Sequence, residues 1–354
     1  GIQIFMETEV TSTSGILGNF PSTLLSRKAS GSPVTVDHGA TIMATGGEEY
    51  RPSEYLYGKH PGVLTHLDLD QAMLRGEERL KKAQTAVFIQ CVGSRIPERP
   101  YCSKICCTHS LESALQLKDM NPDMNLFILY RDMRSYGFRE DLYREARKKG
   151  ILFVRYDLDR LPELTADGNG LLSLTVLDHV LGRPLRIAPD LVVLAAAVLP
   201  RENKKLFELF KVPVNKEGFL IEAHAKLRPV DFASEGIFMA GLAHYPKPLD
   251  ESITQAKAAV ARAMTILSKE GIFVGGVVAS VNPDKCAACL TCVRTCPYGA
   301  PRIGEEGYAI IDPASCRGCG ACVAECPGKA IALKHFTDEQ ILAKTDALFE
   351  AQSA

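Results

Sequence analysis

Cys286, Cys289, Cys292 and Cys296 stand in the spacing C-x2-C-x2-C-x3-C with Pro297 behind them. Cys316, Cys319, Cys322 and Cys326 repeat that spacing with Pro327 behind them. Few folds can satisfy two such runs. Each x2 loop lets successive thiolates converge on one face of a cube, and Ala287, Ala288, Gly318, Gly320 and Ala321 let the backbone approach it. Zinc sites favour two separated C-x-x-C pairs for each ion. Disulfides are disfavoured too, because x2 spacings repeated this densely strain the bridge. The spacing points to iron–sulfur cubes.

The doubled run resembles the ligand pattern of two-cluster bacterial ferredoxins. In that arrangement the first three cysteines of a run bind one [4Fe–4S] cluster and the fourth crosses to the other. The resemblance implies Cys286, Cys289, Cys292 and Cys326 on one cluster, and Cys316, Cys319, Cys322 and Cys296 on its neighbour.

The remainder of the 354 residues is enough for one or two further domains with a sizeable core. Composition is that of an ordinary soluble globular chain, 46% hydrophobic and 23% charged. A formal net charge of −1 provides no basic field, so nucleic acid is not expected as a partner. No run of 18 apolar residues is present, and the chain is not expected to span a membrane itself. Twelve cysteines with metal spacings and no export signal predict a reducing cytoplasm, and exposed clusters an anaerobic one. Gly1 opens the chain without Met, in an alternating stretch (Ile2, Ile4, Met6) that reads as a strand. A fragment or processed chain is the expectation.

Residues 1–37 alternate apolar and polar positions and read as a β-meander or hairpin, with Gly15 and Gly18-Asn19 as turns. Residues 40–47 form a short buried strand ending in a tight glycine turn. An amphipathic helix is predicted over 67–82. Thr85 to Gln90 is a continuous apolar run of the kind that fills a parallel sheet. A helix from about Ser103 to Met120, a strand over 126–130, a basic helix over 140–149 and a strand over 151–156 complete a doubly wound unit of the Rossmann type. A hairpin over 171–187, a buried strand over 190–199 and a short helix over 206–210 come next. Then come a strand over 236–241 and a long helix from about Leu249 to Lys269, whose Ala256, Ala259 and Ala263 suit packing on a backbone or flat cofactor. Thr337 and Gln340 form a capping box for a last helix ending the chain at 354.

Four cysteines lie outside the doubled run. Cys91 sits at the C-terminal end of a predicted parallel strand, where a dinucleotide fold places its ligand. The local sequence is CVGSR, so the G-x-G-x-x-G phosphate turn is not intact. Cys102, Cys106 and Cys107 fall on a loop and the first turn of the next helix, where free N–H groups stabilise thiolates. Cys102 and Cys106 read as one helical turn apart, with Cys107 pointing about 100° away. Four buried free cysteines and a metal or cluster site both remain open on spacing alone.

The combination Cys91…Cys102-x3-Cys106-Cys107, the doubled run and the ending HFTDEQILAKTDALF (335–349) resembles the HdrA family, the iron–sulfur flavoproteins of heterodisulfide reductase, over essentially the whole chain. The resemblance implies an α/β fold with two dinucleotide-binding domains, like thioredoxin reductase, and an α+β two-cluster ferredoxin domain at the C-terminus. Residues 1–66 and 230–272 would form parts of the FAD-binding domain. An inserted Rossmann-like domain would occupy 67–229, the ferredoxin domain 276–335, and a C-terminal helix 336–354. The third cysteine set would hold a [4Fe–4S] cluster where nicotinamide binds in related folds, making three such clusters. Two segments are similar to flavin motifs: Thr45-Gly46-Gly47 after Ala44, and Gly241 followed by Glu251, Ser252 and Ile253. The helix at Glu251 would face the flavin's N1–O2 edge. The FAD pyrophosphate fingerprint is absent from these residues and is expected upstream of Gly1. Glu112 occupies the place where relatives carry a basic residue near the flavin, and a carboxylate there opposes an anionic ring. His109 is an alternative electrostatic partner.

The function so implied is an electron-transfer flavoprotein subunit of a heterodisulfide reductase-type complex, with flavin-based electron bifurcation as an extension. Partners implied are the other subunits of such a complex, an electron-input subunit linked to hydrogenase, formate or NADH, ferredoxin, and a second copy of the chain. The related subunit of a quinone-interacting membrane-associated oxidoreductase shares these motifs. A self-contained NAD(P)H disulfide reductase would need a redox C-x-x-C and a glycine fingerprint after strand 85–90, and a zinc scaffold would leave the doubled spacing without a purpose.

Overall fold

The structure, a computed structural model, describes residues 1–27, 31–271 and 276–350. Ile272, the last residue expected in the FAD-binding part, and residues 351–354 of the final helix lie outside the described residues.

The centre of the chain is a five-stranded parallel sheet in the order Val63–Thr65, Leu191–Ala196, Thr85–Val92, Asn125–Tyr130, Leu152–Arg155. Period-two alternation sends Phe88 into one layer and Val87 and Ile89 into the other. On the Phe88 side, helices His66–Leu74 and Cys106–Met120 bury Leu69, Leu111 and Leu117. The opposite side is covered by an antiparallel sheet of Glu163–Ala166, Leu172–Asp178 and Arg183–Ile187, which buries Leu172, Leu174 and Val176. Both faces of Thr85–Val92 are therefore dry, which explains its unbroken apolar run. The expected doubly wound unit thus has helices on one face and a sheet on the other.

Three local expectations are corrected. The helix predicted over 67–82 is two, His66–Leu74 and Glu78–Lys82, because Gly76 adopts φ +64° between them. The helix predicted from Ser103 begins at Cys106, since Lys104 sits at φ +60° and cannot be helical. Cys102 is consequently in a loop and not one helical turn before Cys106. The first strand starts at Thr8, and Ile2 lies outside it at 95% exposure. The antiparallel meander of Thr8–Thr13, Phe20–Ser26 and Val34–His38 otherwise forms as expected.

Thr41–Met43 pairs in parallel with Ile237–Met239, across the whole inserted unit. The chain leaves this two-stranded sheet through Gly47–Glu49, which pairs antiparallel with Val198–Pro200 on the return path. Helix Lys204–Leu209 packs with Met43, Ile237 and Met239. The outgoing and returning paths of the chain thus meet at Gly47 and Pro200. Helix Leu249–Leu267 lays Ala259 and Ala263 against Phe238 and Ala240, where only small side chains allow close approach.

The C-terminal module has two like halves. Ala279–Val281 pairs with Ile331–Leu333, and Pro301–Ile303 with Ala309–Ile311. Helices Thr291–Thr295 and Ala321–Glu325 pack together between them. Arg317 ties this module to Glu235 at 2.7 Å. Helix Asp338–Glu350 follows, with Thr337 and Gln340 exchanging backbone and side-chain bonds of 3.2 and 3.4 Å. Among the described residues no helix is long and apolar enough to cross a membrane.

Candidate metal centres and cofactor face

Cys286, Cys289, Cys292 and Cys326 line one cavity of the C-terminal module. Cys296, Cys316, Cys319 and Cys322 line a second. Ala288 and Leu290 hold the first loop in left-handed conformations (φ +49° and +64°), as Gly318 and Gly320 do the second. A side chain at Gly318 would place Cβ 2.3 Å from the Val277 carbonyl oxygen, so the loop requires glycine there. Backbone N–H groups point at the sulfurs: Ala309 donates to Cys286 Sγ at 3.4 Å, Ala279 to Cys316 Sγ at 3.4 Å, and Ala330 to Cys326 Sγ at 3.3 Å. Burial and then the neighbouring cysteines push the Cys322 thiol up to about 11. Four crowded thiolates need a compensating cationic centre. Among the described residues no three His, Cys, Asp or Glu side chains close on a point as one metal ion requires. Each quartet is instead ranged around a cavity.

The third set forms where strand Thr85–Val92 ends. Cys91 turns out of the strand at φ +59°, followed by Gly93 at +73°. A Cβ on Gly93 would lie 2.4 Å from the Tyr50 ring, so this turn also depends on glycine. Lys104 N–H donates to Cys102 Sγ at 3.3 Å, and Cys106 and Cys107 open the following helix. All twelve cysteines are unpaired. Cys106 is pushed well up by Cys107, by burial and by Cys91 and Cys102, so the other three thiols lie within electrostatic reach of Cys106. Cys107 is held down to about 7, first by the Cys106 hydrogen bond and further by Arg134 and Arg95. Burial raises Cys91 against the opposing pull of Arg131 and Arg95. These arginines belong to no motif. Arg95 follows the parallel strand Thr85–Val92, and Arg131 and Arg134 follow Asn125–Tyr130, the ends at which this architecture binds ligands.

The expected flavin segments leave the same edge of the sheet. Ala240 N–H donates to the Met43 carbonyl at 3.0 Å, which sets Thr45-Gly46-Gly47 beside Gly241. Gly46 and Gly241 share φ +74°, and a Cβ on either would meet nothing within 4 Å, so both border open space. Gly47 differs: its Cβ would be 2.9 Å from the Leu199 carbonyl, because two strands cross there. Ser252 and the exposed Ile253 lie in the first turn of helix Leu249–Leu267. Glu251, in the same turn, spends its carboxylate on Tyr136 and Lys104 of the inserted unit. Lys247 is buried behind Gly241 and donates to its carbonyl at 2.7 Å. A cavity of about 670 Å3 has Gly47 and Leu242 on one wall and Cys106, His66 and His109 on another. His109 stacks on His66 at 4.2 Å and bonds Asp70 at 3.0 Å. Glu112 is exposed on the outer side of its helix.

Residues 285–331 match the family described as 4Fe-4S dicluster domain. The A subunit of the H(2):CoB-CoM heterodisulfide,ferredoxin reductase of Methanothermobacter thermautotrophicus is 37% identical over 338 residues, 90% of this chain and 50% of that protein. The chain is a homologue of HdrA, the A subunit of heterodisulfide reductase. The corresponding H(2)/formate-linked protein of Methanococcus maripaludis is 36% identical over 88% of the chain and 50% of its own length. The chain thus spans about half the length of these HdrA relatives. Among solved structures, T. acidophilum thioredoxin reductase matches with a TM-score of 0.44 and 15% identity, over 73% of this chain and 72% of that one. The NAD-dependent persulfide reductase of A. fulgidus matches at 0.43 and 18%, over 78% and 47%.

Proposed function

We propose that this HdrA homologue is an electron relay, an oxidoreductase component that works in the cytoplasm with the other subunits of a heterodisulfide reductase-type complex. The observation that carries the reading is the cavity shared by Gly47 and Leu242, from the flavin-like segments, and Cys106, from the third cysteine set. FAD in that cavity and a [4Fe–4S] cluster on each cysteine set would exchange electron pairs for single electrons, which is chemistry the cofactors supply. The protein's own part is placement. Glycines keep the flavin face open, thiols and N–H groups hold the clusters, and the doubled run carries electrons onward. Disulfide cleavage is assigned to another subunit, since all twelve cysteines of this chain are claimed by the three sets.

Ferredoxin and a hydrogenase-, formate- or NADH-linked subunit are the proposed redox partners. Bifurcation belongs to the same reading and is checked by whether two acceptors must be present together before either is reduced. Anaerobic reconstitution with iron and sulfide tests the core of the proposal. About twelve irons per chain, with three EPR-distinguishable centres after reduction, is the expected result. About eight would return Cys91, Cys102, Cys106 and Cys107 to a structural role.

A further inference from the structure

Three buried side-chain atoms among the described residues lack a hydrogen-bond partner: Gln90 Oε1, Ser94 Oγ and Arg131 Nε. All three belong to the surroundings of Cys91. Gln90 precedes it, Ser94 ends the turn after it, and Arg131 grips that turn, with Nη1 donating to the Arg95 carbonyl at 2.8 Å and Nη2 to the Ser94 carbonyl at 2.7 Å. Gln90 Oε1 is an acceptor and has nothing to offer a sulfur. Ser94 Oγ–H and Arg131 Nε–H are donors, and Arg131 lines the same cavity as Cys91.

The charge is out of balance in the same direction. Arg131 is only 9% exposed and has no ion-pair partner among the described residues. The nearby Arg95 and Arg134 share one carboxylate, Asp132, at 2.5 and 3.6 Å. Glu54 and Glu163 line the cavity that Arg131 also borders, but Glu54 is engaged by the Tyr50 hydroxyl at 3.2 Å, and Glu163 is exposed. A guanidinium removed from water without an anion is costly. Beyond these carboxylates, the Cys91 thiol lining the same cavity is a further source of negative charge at hand.

We propose that Arg131 is the positioning residue that fixes the Cys91 turn and raises the reduction potential of the iron–sulfur group held by Cys91, Cys102, Cys106 and Cys107. The inference rests on the three-cluster reading under Proposed function. Reduction adds one electron and one negative charge, with no bond made or broken. A fixed cation beside the group stabilises the reduced state over the oxidised one. Ser94 adds a neutral donor to the same end. In a relay, such a residue makes the third group an acceptor for single electrons leaving the flavin.

The test uses the full chain, reconstituted anaerobically, in wild-type, Arg131→Gln and Arg131→Lys forms. Iron is counted, and each centre is titrated by EPR at defined potentials; the signal lost in Cys102→Ser identifies the third centre. Arg131→Gln is expected to keep about twelve irons and to lower the reduced-to-oxidised ratio of that centre at least tenfold at fixed potential, about 59 mV for one electron. The other two centres stay in place, and Arg131→Lys restores most of the shift. Loss of the third centre in Arg131→Gln but not in Arg131→Lys also supports the role of the charge. An unmoved potential with twelve irons overturns the proposal, as does loss or an equal shift in both variants, which would make Arg131 a backbone clamp alone. Eight irons in the wild type would instead overturn the three-cluster reading itself.

Discussion

Lys104 reaches across from the inserted unit and places Nζ 3.4 Å from the Glu251 carboxylate. The contact joins two candidate cofactor sites, since the N–H of Lys104 donates to Cys102 Sγ and Glu251 lies in the first turn of helix Leu249–Leu267. Tyr136 bonds the same carboxylate, and Arg139 pairs with the adjacent Asp250. These bonds also neutralise two acidic side chains at a helix N-terminus that is proposed to face an anionic ring.

The Lys104–Glu251 pair is partly exposed, so its expected effect is on placement more than on stability. Glu251→Gln should cost no more than about 1 kcal/mol in chemical denaturation. Iron content should be unchanged, while electron transfer between flavin and clusters slows in stopped-flow measurements. An unfolding midpoint that falls by several times that amount would show the pair to be structural.

The ligand crossing in the C-terminal module predicts two distinct losses. Cys326→Ser should remove the centre lined by Cys286, Cys289 and Cys292, and Cys296→Ser the one lined by Cys316, Cys319 and Cys322. Each variant should lose about four irons, with different EPR signals disappearing. The same signal lost in both would contradict the crossing.

Asp231 is 2% exposed and accepts three bonds from Arg262, at 2.9 and 3.1 Å to Oδ1 and 3.3 Å to Oδ2, with Arg228 at 3.6 Å. Arg262→Ala leaves this carboxylate with a single, more distant cation. The expected destabilisation is about 1–3 kcal/mol, read by urea unfolding. A double variant that also replaces Asp231 with Asn should recover part of it.

Burial lowers Lys247 to about 8, with Lys104 adding to the effect. Below pH 8 the lysine is charged in both folded and unfolded states, and the cost of burying the charge is fully present. Between pH 8 and the ordinary lysine value the unfolded chain binds more protons. Stability from this group therefore rises with pH across that window, by at most about 3 kcal/mol. Lys247→Met should flatten that part of the stability–pH curve, measured by denaturation at pH 7.5 to 10.

Gly93→Ala forces a Cβ to within 2.4 Å of the Tyr50 ring at φ +73°. A cost of about 1–3 kcal/mol is expected from the strained backbone. The neighbouring Cys91 should shift with it, so the third centre should be lost before the other two in an iron titration.

Local spacing and periodicity were enough for the doubled cysteine run, the dry strand at Thr85–Val92 and the cap at Thr337, because each depends on neighbours within a few residues. A helix broken at Gly76 and one begun at Cys106 were not legible, since single left-handed residues at Gly76 and Lys104 outweighed the longer apolar pattern. The sequence also placed twelve thiols and two flavin-like glycine segments on the chain without saying which would meet. Tertiary structure brought Cys326 to Cys286, set Gly46 beside Gly241 across an entire inserted unit, and closed Arg131 over the Cys91 turn. Those meetings depend on strand order in two sheets and on a few turns. Long-range pairing of that kind leaves no period in the sequence from which it could be read.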